Sequence, residues 1–175
     1  MSITPEAAIK LAVLIPLAAS VIYHDVRFRR IPNMLVLTAL IAGLAINTAF
    51  GGFRGLGNSA LGFGVAFFAM LLLHIFGAMG AGDVKLMGAV GSILGIALMP
   101  VTLILVVMAG GVLAIYSMLR AGTVFSTLHG VLRIFVGLLP GWEMPRFAMA
   151  PDRRHTIPYG VAIMVGSLIA ALFRA

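Results

Sequence analysis

Long apolar runs separated by short polar breaks dominate the chain, and their lengths predict its elements. A helix needs about 20 apolar residues to cross a bilayer core of about 30 Å. The first run covers 7–23 and ends in His24-Asp25-Val26-Arg27-Phe28-Arg29-Arg30. The second opens on Ile31-Pro32-Asn33, where proline suits a first helical turn, and continues to residue 50. The glycine-rich stretch 51–58 reads as a turn before a third run, 59–76. Gly80-Ala81-Gly82-Asp83-Val84-Lys85 comes next, and apolar residues then continue to 119, too far for one crossing. Pro100 predicts a break there, dividing the stretch into spans over 84–98 and 101–119. The last span covers 157–172. The expected fold is all-α and polytopic, with about six transmembrane helices and one long loop, 120–156. Within that loop Phe125, Leu128, Leu132, Phe135 and Leu139 fall near one helical face, the pattern of an interfacial helix. Trp142 reads as an anchor at the headgroup level.

Composition turns this pattern into a class. Of 175 residues, 62% are apolar and 10% charged, against roughly 25% charged in soluble domains. A soluble globular domain and a disordered chain are both excluded. The net charge of +7 reads as loops facing an anionic leaflet rather than as a nucleic-acid surface. Membrane lipids are the expected surroundings, with no nucleic-acid partner. With the N-terminus outside, one side receives Arg27, Arg29, Arg30, Lys85, Arg120, Arg133, Arg146, Arg153 and Arg154. The other side receives Lys10, Arg54 and Arg174. The richer side is cytoplasmic by the positive-inside rule. Cysteine is absent, which removes disulfides, a thiolate nucleophile and a cysteine-based zinc site. The spacing of the histidines suggests no metal site, and no cofactor is expected. The first residues lack the basic region of a cleaved signal peptide, so residues 1–175 read as one integral-membrane domain that keeps its first span.

Only five side chains are acidic. Glu6, Glu143 and Asp152 fall at a terminus or in the long loop. Asp25 closes the first span and Asp83 opens the fourth, with two complete crossings between them. Both carboxylates therefore lie on the same membrane face. A carboxylate close to hydrocarbon is costly unless it is paired or faces a polar cavity. Two at one level suggest aspartic proteolysis. Neighbouring like charges cannot both ionise cheaply, so one acid keeps its proton. The ionised member accepts a proton from the attacking water, and the other donates to the scissile carbonyl oxygen. The pair titrates as a unit.

The flanking residues suit that role. Gly80 and Gly82 clear side chains from around Asp83 and permit unusual backbone geometry. Lys85 either anchors the helix end or acts on the Asp83 carboxyl. Each acid alone also has a plain structural reading. Asp25 is then a polar stop paired with Arg27 or Arg29, and Asp83 an acid favoured by the N-terminus of the fourth helix.

The segment from Asp25 to Ile31-Pro32-Asn33 resembles the first motif of type IV prepilin peptidases. Gly80-Ala81-Gly82-Asp83 resembles the Gly-x-Gly-Asp signature of intramembrane aspartyl proteases, the family's second motif. Ile157-Pro158-Tyr159-Gly160 resembles the Pro-Tyr/Phe-Gly element opening its last helix. The resemblance implies an aspartic endopeptidase of the prokaryotic inner membrane that removes basic leaders from prepilins or pseudopilins at the cytoplasmic face. Its catalytic aspartates carry over to Asp25 and Asp83, and its active-site loop to Gly80, Gly82 and Lys85. Asn33, Pro158, Tyr159 and Gly160 carry over as substrate-contacting or site-supporting positions, although Pro158 equally reads as a helix start. Bifunctional members of the family have an additional cysteine-containing region for methyl transfer. Nothing matches that region here, so the expected form is the peptidase alone, as in tight-adherence or preflagellin systems. Two other readings of the acids are a small proton-coupled transporter and a non-catalytic subunit of a pilus or secretion assembly.

Overall fold

The computed structural model describes residues 4–75, 79–122 and 158–173. The loop expectations, including the amphipathic stretch from Phe125 to Leu139, Trp142 and Asp152, lie outside the described residues. Within them the chain is all-α, as its apolar pattern predicts, and polytopic.

Helix α1, Pro5–Phe28, begins where Thr4 Oγ1 accepts a hydrogen bond from the Ala7 amide at 3.3 Å, an N-cap in the usual sense. Its buried face is Leu14, Leu17, Ala18, Val21 and Asp25. This is one stripe at helical spacing, and the carboxylate continues it one turn beyond Val21. The helix stops at Arg29, whose backbone adopts φ 52°, ψ 35° while its amide reaches back to the Asp25 carbonyl at 3.1 Å.

Helix α2, Asn33–Ile75, contains two arms. Gly52, at φ 55° and ψ −138°, reverses the chain between them, in a region of backbone space that only glycine enters readily. A methyl group on Gly55 would collide with the Asn47 carbonyl eight residues earlier, so the arms fold back as a hairpin. The expected turn over 51–58 is thus much tighter than its glycine content suggests, and the rest of that stretch is helical. Each arm buries a column of small or slender residues about four apart: Ala39, Gly43 and Asn47 on one, Gly55, Ser59, Gly62, Ala66 and Met70 on the other.

Both columns close on α3, Ala81–Leu94, which is buried from Leu86 through Leu94. Without a hydrophobic drive between helices in lipid, close backbone approach and polar bonds hold such contacts. Here Asn47 Nδ2 lies within hydrogen-bonding distance of the Gly43, Ser92 and Ile93 carbonyls at 3.0, 2.8 and 3.1 Å. Ser59 Oγ donates to the Ser92 carbonyl at 2.7 Å. The predicted break at Pro100 falls instead at Gly95, where φ is 79°. A 3-10 turn, Ile96–Leu98, leads into α4, Met99–Ala121. Pro100 sits in the first turn of α4, where a missing amide costs nothing. The fourth helix also starts earlier than expected, which places Asp83 inside its first turn.

Helix α5, Tyr159–Leu172, fits between α1 and α4. Its Gly166 meets the backbone of α4 at Val106. Much of α4 is exposed and apolar, including Ile104, Val107, Met108, Val112, Ile115 and Leu119, as a lipid-facing helix requires. Three helices, Pro5–Phe28, Asn33–Ile75 and Ile96–Arg120, are long and apolar enough to cross a membrane. α3 and α5 have 14 residues each, about 21 Å of helix at 1.5 Å per residue.

Candidate active site

The polar side chains buried in the bundle are nearly all satisfied. Asn47, Ser59, Ser92, Thr102 and Ser167 each bond a backbone carbonyl. Asp25 is the contrast. It is 7% exposed, and its Oδ2 is buried with no hydrogen-bond partner among the described residues. The carboxyl lies over the first turn of α5, beside the Gly160 and Val161 amides. This approach needs Gly160 to lack a side chain, because a Cβ there would lie 2.8 Å from Oδ2 and 3.1 Å from Cγ. We therefore expect Gly160→Ala to displace Asp25 or to cost about 1–3 kcal/mol through overpacking. Thermal unfolding in detergent measures the second, and an unchanged midpoint with unchanged activity would contradict both.

Asp83 is the third residue of α3, and its Oδ2 accepts from the Gly80 amide at 3.3 Å. The carboxylate thus satisfies a free donor at its own helix start. It is half-buried and close enough to Asp25 for the two charges to interact. The segments around them are adjacent too: a methyl on Gly82 would touch Ile31 Cβ at 3.9 Å. Gly80 has ordinary extended geometry, φ −77° and ψ 150°, and Gly82 is helical. The glycines leave room beside Asp83 and do not supply unusual backbone angles, contrary to part of the expectation.

The remaining positions divide. Lys85 is exposed, and among the described residues the sole ion pair is Glu6–Lys10 at 2.6 Å. Lys85 therefore makes no direct ion pair with Asp83. Asn33 is exposed at the start of α2. Pro158 precedes α5, and the Tyr159 ring packs where Gly110 of α4 leaves space, 3.1 Å from a Cβ built there. His24 bonds back to the Ser20 carbonyl at 2.8 Å, away from the carboxylates. His74 Nδ1 donates to the Met79 carbonyl at 2.8 Å, which ties the end of α2 to the strand of chain entering Gly80. Among the described residues no three His, Asp or Glu side chains come together as a metal site would need.

Arg29 was legible only as a charge. It is the one non-glycine residue with positive φ among the described residues, a conformation costing on the order of 1–2 kcal/mol. Its Nη1 is buried without a hydrogen-bond partner among the described residues, close enough to Asp25 for their charges to interact.

Comparison with known proteins shows the family. Residues 12–115 match the model of the type IV leader peptidase family. A prepilin leader peptidase/N-methyltransferase of Bacillus subtilis (strain 168) is 30% identical over 164 residues, covering 92% of this chain and 54% of the relative. The chain thus spans about half the length of the curated relative it matches. No solved structure matches. The matched region carries Asp25 on α1 and Asp83 on α3 and extends well into α4, and by sequence the chain belongs to the type IV leader peptidase family.

Proposed function

We propose that this chain is a membrane-embedded aspartic endopeptidase that removes basic leaders from prepilins or pseudopilins. The observation that supports the reading is that Asp25 and Asp83, from two distant segments, lie close enough for their charges to interact, with Gly82 of α3 against Ile31 just after α1. Family membership supports the substrate class. One carboxylate takes a proton from water as it attacks the scissile carbonyl, and the other carboxyl donates to the carbonyl oxygen. Asp25 is surrounded by α1, α5 and Arg29. Asp83 is half-buried at the start of α3, with Gly80 and Gly82 on either side of Ala81 just before it. The positive-inside distribution of Lys and Arg supports a cytoplasmic position for this end of the bundle. Leaders are basic and remain on that side, so cleavage there requires no translocation of charge. Of the two activities in the relative's name, only the peptidase is carried over to this chain.

The test is co-expression with a candidate prepilin carrying a basic leader before a hydrophobic helix. A mobility shift is expected with the wild-type chain, and N-terminal sequencing of the product should find the cut at the leader–helix boundary. Absence of processing in the membrane fraction across several such substrates would refute the proposal.

His74 adds a prediction about this activity. Its ring has only one role at Met79, because a carbonyl accepts and Nδ1 must donate. Asparagine can place a donor nitrogen near the same point, whereas leucine cannot. His74→Leu is expected to lower kcat by about ten-fold, the equivalent of one lost hydrogen bond's worth of positioning, and His74→Asn to recover part of it. Equal cleavage rates for the leucine variant and wild type would remove His74 from the account.

A further inference from the structure

We propose that Arg29 binds the substrate peptide, donating a hydrogen bond from its guanidinium to a backbone carbonyl held beside Asp25. The inference rests on the peptidase reading and adds a binding residue to it.

Three neighbouring arginines follow Asp25, and the fold treats them differently. Arg27 and Arg30 are exposed, as topology signals should be. Arg29 is half-buried, and its Nη1 is shielded from solvent. The left-handed backbone at φ 52° ends α1 there. Nothing in that helix end calls for arginine. The capping bond uses only the Arg29 amide and the Asp25 carbonyl, and glycine would adopt the same angles without strain. The conformation is therefore explained by the side chain it positions. An observed backbone outlier beside a reactive group supports such an inference from strain to function.

Two unmet groups of opposite kind belong to residues joined by the capping bond one turn apart: a donor, Arg29 Nη1, and an acceptor, Asp25 Oδ2. They do not form an ion pair within 4 Å, so their polar atoms remain available to something between or beside them. A leader peptide brings a carbonyl oxygen at every residue. The guanidinium offers donors in a rigid planar fork. Its contact with a main-chain carbonyl leaves the Asp25 carboxyl for water. It also reads no side chain, so it suits a leader of variable sequence.

The test uses the full chain in detergent with a prepilin as substrate. Arg29→Gly removes the guanidinium while relieving the backbone. Its thermal midpoint is expected at or above that of wild type, with kcat/KM lower by about ten-fold or more, mainly through KM. Arg29→Lys should fall between the two. In the Asp83→Asn background, binding of uncleaved prepilin should weaken by a similar factor on Arg29→Gln. Cleavage by Arg29→Gly within two-fold of wild type would overturn the inference, as would a loss confined to kcat with a lowered midpoint. If wild type itself cleaves no prepilin, the peptidase reading fails instead.

Discussion

Asp83→Asn is expected to reduce leader cleavage by about 10³-fold, within the range that a positioned acid or base contributes, while leaving the folded bundle intact. The substitution is nearly isosteric. Asparagine keeps an oxygen that can accept from the Gly80 amide, now 3.3 Å from Oδ2, so the start of α3 retains its cap. The variant loses only the ability to exchange a proton with water or with the carbonyl oxygen. Asp25→Asn should be as inactive, although its surroundings are tighter: one of its oxygens becomes an NH2 group beside the Gly160 and Val161 amides. Because the carboxyls act as one unit, the double variant should be no worse than either single one, as for other concerted catalytic groups. The measurement is single-turnover cleavage of purified prepilin by each purified variant, with a melting curve to show folding. Wild-type rates from either single variant would end the aspartic mechanism. Losses that multiply in the double variant would show that the two carboxyls act independently.

Asp25 and Asp83 were legible in the sequence because charge is so rare in this chain that each acid at a span boundary stood out. The number of intervening crossings then put them on one face. Their immediate surroundings were less legible, and the reasons are physical. Gly160 lies far along the chain from Asp25, and only packing shows that the carboxyl occupies the space where its Cβ would be. Arg29 is indistinguishable from Arg27 and Arg30 by composition. What separates it is a left-handed φ angle and a shielded guanidinium nitrogen, which depend on how α1 terminates against its neighbours. The spans were predicted from apolar length, but length cannot tell which glycine bends. Gly52 and Gly95 do so, while other glycines of the 51–58 stretch continue a helix, and Pro100 starts a helix where it was expected to divide one. Glycine carries three roles here, namely reversal, close packing and clearance around a carboxyl, and one-dimensional pattern does not distinguish them.

The close-packing role leads to the second large effect, Gly91→Ala, which is expected to destabilise the bundle by about 3 kcal/mol or more, at the upper end of overpacking costs. A methyl group at Gly91 would strike the Gly62 carbonyl and come within 2.8 Å of Ala66 Cβ. The reciprocal methyl at Gly62 would strike the Gly91 carbonyl. Both obstacles are main chain, so no rotamer change relieves them, and the helices must separate. Gly88 provides the contrast. Its Cβ would meet the Phe63 ring at 2.9 Å, and a side chain can swing, so Gly88→Ala should cost less. Gly57→Ala meets nothing within 4 Å and should be neutral or slightly stabilising through helix propensity. This ordering is measurable by thermal or denaturant unfolding in detergent, and a Gly91→Ala midpoint equal to that of Gly57→Ala would disprove the seam. The consequence reaches the active site because α3 is a short, buried helix with Asp83 at its first turn. The Gly62–Gly91 contact and the Asn47 and Ser59 bonds to its far end set its depth and rotation. Pushing α3 away from α2 therefore shifts Asp83 relative to Asp25, which is held by α1 and α5. The surviving folded fraction of Gly91→Ala should consequently show a lower kcat than its folded amount accounts for, whereas Gly88→Ala should lose activity only in proportion to folded protein.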